Sequence, residues 1–209
     1  MTQNQTPTTV YWLDNTLYLN ITNQCSNSCY FCFKHYKQGV GGFNLKLAQE
    51  PSVEQIISEL SEVLHMRNWS EIVFCGFGEP TSRLDVLLEV AKWIRHNFGR
   101  PVQLRLDTNG HGYKLNPNRD IAKELKNAGI DKVSVSLNAQ DKQTYNEACK
   151  PAFPDAYEAM LEFIKKAKTQ LEVEATAVRI PEIDMQKTQA AAESLGVKFK
   201  IREYTPCFY

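Results

Sequence analysis

The sequence predicts an α/β fold: an open, partial (βα)6 barrel of mainly parallel strands, entered through an N-terminal β-hairpin. Three observations carry that expectation. Six β-rich runs are separated by longer amphipathic segments, several of the runs alternate apolar with polar residues, and the helical segments carry start and stop signals. Helical crossovers return the chain to the same end of a sheet, so successive strands pair in parallel through right-handed connections. Six units are fewer than the eight of a closed barrel, and ligands of such sheets lie at the carboxyl ends of the strands.

The elements follow in order. Residues 1–8 are polar and expected to be frayed. The stretch 9–22 forms the hairpin, in which Val10-Tyr11-Trp12 and Thr16-Leu17-Tyr18-Leu19-Asn20-Ile21 flank Leu13-Asp14-Asn15, and its second arm is the first barrel strand. Further strands are read at 71–76, 102–106, 132–137, 172–178 and 198–202. Between them Val53, Ile56, Ile57, Leu60, Val63 and Leu64 recur at helical spacing behind Ser52, which with Gln55 makes a capping box. A second helix carries Leu84, Leu87, Leu88, Ala91 and Ile94 behind Ser82, with Gly99 and Pro101 as its stop. Ile121, Ala122, Leu125 and Ala128 end at Gly129, and Tyr157, Met160, Leu161, Ile164 and Ala167 make another stripe. Asp184 caps a last helix running through Ala191, Ala192 and Leu195 to Gly196.

A chain of 209 residues builds one sizeable core, so a single domain over 1–209 is expected. Lys plus Arg and Asp plus Glu each number 24, which removes any global field toward nucleic acid or an anionic membrane. The N-terminus lacks the basic flank and apolar stretch of a secretory signal, and no apolar run is long enough to span a bilayer. A cytoplasmic protein is expected. In that reducing compartment six Cys read as metal ligands, redox groups or small core residues.

Three of them fall within Cys25-Ser26-Asn27-Ser28-Cys29-Tyr30-Phe31-Cys32, on a polar loop after the first barrel strand. Thiolates are soft ligands suited to Zn or Fe–S centres, and Fe–S clusters typically take four. No His or fourth Cys follows at zinc-finger spacing, His35 being the nearest, so a closed zinc site is poorly supported. A non-catalytic zinc or iron–sulfur adaptor module stays open as the alternative to an enzyme. Later strand ends carry Cys75-Gly76-Phe77-Gly78-Glu79-Pro80, Asp107-Thr108-Asn109-Gly110, Ser136-Leu137-Asn138-Ala139, Val178-Arg179-Ile180-Pro181-Glu182 and Arg202-Glu203-Tyr204.

The pattern Cys-x3-Cys-x-aromatic-Cys after a first β-strand resembles the signature of the radical S-adenosylmethionine superfamily. The resemblance implies a [4Fe–4S] cluster on Cys25, Cys29 and Cys32, its fourth iron chelated by S-adenosyl-L-methionine, with Phe31 near the adenine. The stretch from Gly76 to Pro80 resembles the family's Gly-Gly-Glu motif, with Phe77 in place of its first Gly. That implies cofactor contacts for Gly76, Phe77, Gly78, Glu79 and Pro80, with Glu79 on the methionyl ammonium. Asp107, Asn109, Ser136 and Asn138 are implied partners of the ribose hydroxyls and methionyl carboxylate. Val178 is implied to pack on adenine, although the family's usual glycines are absent there, and Arg202 to pair with a cofactor or substrate carboxylate. The implied activity is reductive cleavage of S-adenosylmethionine to a 5′-deoxyadenosyl radical that abstracts hydrogen from an unidentified substrate. No catalytic acid or base is implied.

An external one-electron donor of flavodoxin or ferredoxin type follows from the lack of further cysteine clusters. The small size, Asn138-Ala139, the stretch 145–151 and Arg202-Glu203-Tyr204 are similar to standalone TatD-associated radical S-adenosylmethionine proteins, which implies a functional link to a TatD-type nuclease. A glycyl-radical activating enzyme is a related option. A deazaguanine-pathway synthase is disfavoured, since that family has Asp-Thr where Phe33-Lys34 follow the last loop cysteine here. Cys75 reads as a small strand residue, Cys149 as a conceivable reactive thiol, Cys207 carries no signal, and Lys34 and His35 are candidate substrate contacts.

Overall fold

A computed structural model describes residues 6–98 and 102–204. Strands β1 (Val10–Leu13) and β2 (Thr16–Leu19) form the antiparallel hairpin, with Leu13 opposite Thr16. A small second hairpin follows, β3 (Gly39–Val40) with β4 (Phe43–Asn44). The chain then alternates: α1 (Val53–Leu64), β5 (Glu71–Phe74), α2 (Leu84–Phe98), β6 (Gln103–Thr108), α3 (Gly112–Leu115), α4 (Ile121–Ala128) and β7 (Lys132–Ser136). It ends with α5 (Lys142–Cys149), α6 (Ala156–Ala167), β8 (Glu172–Arg179), α7 (Met185–Ser194) and β9 (Lys198–Glu203). One seven-stranded sheet runs β1-β2-β5-β6-β7-β8-β9, with parallel pairing from β2 onward. The six parallel strands are those expected, and among the described residues β1 and β9 are its two free edges.

Alternation along the strands sorts the two faces of this sheet. Leu17, Leu19, Ile72, Phe74, Leu104 and Leu106 are fully buried against the helices, in one core with Ile56, Leu60, Leu87 and Phe163. The concave face is polar. Arg105 pairs with Glu71 at 2.9 Å and Asp107 at 2.7 Å, Arg202 reaches Asp107 at 3.2 Å, and Lys132 meets Glu174 at 3.2 Å. A closed barrel fills that side with branched apolar residues; this open one lines it with ion pairs.

The expected caps at Ser52, Gly129 and Asp184 are present: Gln55 N–H donates to Ser52 Oγ and Ser52 N–H to Gln55 Oε1, Gly129 adopts φ 95°, and Asp184 accepts from Gln186 and Lys187. Ser82 is not a cap. A short 3-10 turn, Pro80–Arg83, precedes α2, and Glu79 caps it while the Ser82 hydroxyl donates to the Glu79 carbonyl. Gly99 and Pro101, and residues 1–5, lie outside the described residues. Residues 6–8 are not frayed: Pro7 bridges Asn44, and Thr8 N–H donates to its carbonyl at 2.8 Å. Helix α5 was not expected, because its stripe is only Tyr145, Ala148 and Cys149; Asp141 starts it by accepting from Thr144 N–H. Among the described residues no helix is long and apolar enough to cross a membrane.

Candidate functional site

The cysteine loop leaves β2 and is held along its length by the end of α5. Asn27 bridges Pro151, Ser28 N–H donates to the Cys149 carbonyl at 2.9 Å, Tyr30 N–H to that of Ala148 at 3.2 Å, and Ala152 N–H to that of Ser26 at 2.8 Å. Lys150 makes the turn possible with φ 45°, a left-handed helix end at a non-glycine residue. These bonds aim Cys25, Cys29 and Cys32 into a cleft of about 380 Å³ at the carboxyl ends of the strands. All three thiols are held above the ordinary thiol range. Burial and nearby Glu79 push Cys25 up to about 11, burial raises Cys32, and Cys29 is raised first by its hydrogen bond with Cys149 and then by burial. A cation bound by them therefore displaces protons. Among the described residues no three His, Cys, Asp or Glu side chains gather around one single-ion position.

The turn after β5 shapes the opposite wall. A Cβ at Gly76 would lie 2.2 Å from Asn20 Oδ1, and one at Gly78 would lie 2.3 Å from the Gln24 carbonyl oxygen. The space beside the Gly78 Cα is taken by the start of the cysteine loop, which also receives Glu79 N–H at Gln24 O, 2.6 Å. Glu79 is 3% exposed, and its carboxylate accepts four protein donors: Thr81 N–H, the Thr81 and Thr108 hydroxyls, and Asn109 N–H, at 2.6–3.0 Å. Three of these donors meet Oε1 and one meets Oε2, so Glu79 ties β5 to β6 while Oε2, with two lone-pair directions, keeps one for a further donor. Burial holds its pKa above the ordinary carboxylate value despite those donors.

Beneath the loop runs a buried polar chain. Asn109 Oδ1 accepts from His111 N–H at 3.0 Å, which fixes its amide, and Nδ2 donates to Ser26 Oγ at 2.9 Å with Cys25 Sγ at 3.8 Å. Ser26 Oγ meets His111 Nδ1 at 2.8 Å, His111 Nε2 meets the Tyr145 hydroxyl at 3.0 Å, and Asn27 Nδ2 donates to that hydroxyl, also at 3.0 Å. Burial depresses His111 to about 4. Sequence reading missed Ser26, Asn27, His111 and Tyr145, because residues 85 and 118 positions apart meet only in the fold.

The cleft gathers Cys25, Cys29, Cys32, Phe31, Gly76, Gly78, Glu79, Asp107, Asn109, Ser136, Asn138, Val178 and Arg202, all expected together. Phe77 and Pro80 do not line it. Phe77 N–H donates to Asn20 Oδ1 and its ring packs edge-on to Phe33, while Pro80 is buried in the 3-10 turn. Lys34 and His35 do not line it either. Arg202 is already paired with Asp107 and with Ser134 Oγ at 3.3 Å, and Asn109's amide is spent on the protein. Cys149, expected as a conceivable reactive thiol, is fully buried beside Asn138 Nδ2, and Cys207 lies outside the described residues.

A family model described as "Radical SAM superfamily" matches residues 19–195, the span holding the cysteine loop and every element from β3 to α7. The chain belongs to the radical S-adenosylmethionine superfamily. A "Probable GTP 3',8-cyclase" from Saccharolobus islandicus is 31% identical over 151 residues, covering 72% of this chain and 42% of that protein. The chain thus matches less than half the length of that curated relative. Among solved structures, Streptococcus suis SuiB bound to precursor peptide SuiA superposes with a TM-score of 0.68 at 15% identity, covering 94% of this chain and 40% of that one. TYW1 with a lysine-pyruvate adduct bound gives 0.66 at 16%, covering 92% and 66%. These two likenesses are of fold, that of the radical S-adenosylmethionine partial barrel. Membership implies S-adenosylmethionine and a [4Fe–4S] cluster, and the residues fit: the three loop thiols line one cleft, Cys75 lines it from the end of β5 outside the loop, and a buried amide oxygen, Asn27 Oδ1, is unpartnered on the same loop.

Proposed function

We propose that this chain is a radical S-adenosylmethionine enzyme in which Cys25, Cys29 and Cys32 anchor a [4Fe–4S] cluster. When bound, cluster and cofactor supply reductive cleavage to a 5′-deoxyadenosyl radical, which takes hydrogen from a substrate. One observation carries this reading: the three loop thiols and the polar ends of β6, β7 and β8 line a single cleft.

The chain's own residues do the rest. Helix α5 holds the loop by backbone bonds, so the thiols are placed before anything binds. Glu79 fixes the turn after β5 against β6, and the polar chain from Asn109 to Asn27 supports the loop from below. Phe31, 9% exposed and edge-on to Tyr30, gives the cleft an apolar wall that keeps water from a reactive intermediate. In this reading Asp107, Ser136, Asn138 and Val178 would hold the cofactor, and Arg202, paired with Asp107, would face a cofactor or substrate carboxylate.

Residues 1–209 act as one radical S-adenosylmethionine core domain in this reading, served by a flavodoxin or ferredoxin. The finer placement with the TatD-associated group is supported by Asn138-Ala139 and by the stretch 145–151, whose end grips the cysteine loop. Anaerobic reconstitution with iron and sulfide tests the whole. About four irons per chain and conversion of S-adenosylmethionine to 5′-deoxyadenosine under reductant are expected. One stoichiometric zinc and no turnover would refute it.

A further inference from the structure

Asn27 stands between Cys25 and Cys29, is 5% exposed and lines the cleft. Its Nδ2 is committed to the Tyr145 hydroxyl at 3.0 Å and its backbone N–H lies 3.4 Å from Cys25 Sγ, while Oδ1 has no hydrogen-bond partner. A buried acceptor left unpaired is costly, and native folds rarely leave one without a reason. Among the described residues Glu50 Oε2 and Asn146 Oδ1 share the condition, yet neither lines the cleft, and Glu50 Oε2 lies 3.3 Å from Arg83. The supporting network closes on itself: Ser26 is engaged by Asn109 and His111, and Tyr145 by His111 and Asn27.

We propose that Asn27 Oδ1 is a binding group for the adenosyl cofactor, accepting from one of its N–H or O–H donors. The inference rests on the cofactor assignment under Proposed function. Sulfides and cysteinyl sulfurs accept hydrogen bonds and have no proton to give, so the partner is the organic molecule, not the cluster. S-adenosylmethionine carries donors of two kinds, an amine on its amino-acid part and hydroxyl and amino groups on its nucleoside.

Calorimetric titration of the anaerobically reconstituted full chain tests this with three probes: S-adenosylmethionine, S-adenosylhomocysteine and 5′-methylthioadenosine. Asn27→Ala is expected to weaken binding about fivefold or more at unchanged iron content, and Asn27→Asp, which keeps an acceptor at that place, to retain it. Loss confined to the two amino-acid-bearing probes assigns the amine, and loss with all three assigns the nucleoside. Should Asn27→Ala load less iron, Asn27→Ser, whose hydroxyl is too short to take over the acceptor, carries the same comparison. Wild-type affinity for all three probes in the Ala or Ser variant overturns the inference, as does an Asp variant as weak as Ala. Failure of the wild-type chain to hold a cluster overturns the underlying assignment instead.

Discussion

The backbone N–H of Asn109 donates to Oε2 of Glu79 at 2.7 Å, fastening the end of β6 to the turn that follows β5. The carboxylate most readily read as a ligand group is thereby a tie between two strands. Removing it strands four donors in a buried place.

Glu79→Ala should therefore lower stability by about 3 kcal/mol, with Glu79→Gln costing less because one oxygen remains. Urea unfolding of the cluster-free chain measures this. A stability equal to wild type would contradict the tie.

Gly78→Ala drives a methyl group against the Gln24 and Thr22 carbonyls, at 2.3 Å and 2.7 Å. Backbone on both sides leaves no flexible tip to yield, so the cysteine loop must shift. Reconstituted iron content should fall well below wild type while far-ultraviolet circular dichroism is retained. Full loading would show that the loop tolerates the displacement.

Cys25→Ala, Cys29→Ala and Cys32→Ala should each abolish both the visible cluster absorbance and 5′-deoxyadenosine formation, because two thiolates are too few to hold the cluster. Cys149→Ala should keep a cluster, since that thiol is fully buried behind Cys29, to which it is hydrogen-bonded, and does not line the cleft. Iron assays after anaerobic reconstitution separate the two classes.

His111 makes stability depend on pH in a defined window. Its pKa in the folded chain, about 4, lies below the 6.5 of the free side chain, so the unfolded state binds the extra proton between those values. The stability it contributes is complete above pH 6.5 and is lost as pH falls toward 4, about 3 kcal/mol in all. Comparing denaturation of wild type and His111→Gln at pH 7.5 and 4.5 isolates this contribution from that of the carboxylates. Parallel losses in the two proteins would contradict it.

Much of this was legible in the sequence for a local reason. Strand alternation, the Ser52–Gln55 box and Gly129 act within a few residues, and the cysteine spacing is written in eight positions. What escaped depends on partners far along the chain. Ser82 reads as a cap until Glu79 takes the position, the packing of residues 22–24 against Gly78 has no local sign, and His111 carries no signal at all. Alternation shows that the strands have a polar face but not what that face pairs with, and Glu71, Arg105, Asp107 and Arg202 meet one another across the hollow of the sheet.

Because β1 and β9 never join among the described residues, the hollow is a trough with two banks and not a bore. A bore admits only what can be threaded through it. A trough can receive one stretch of a long molecule laid in from the side, so 380 Å³ limits the part that must reach the thiols and leaves the size of the whole unrestricted.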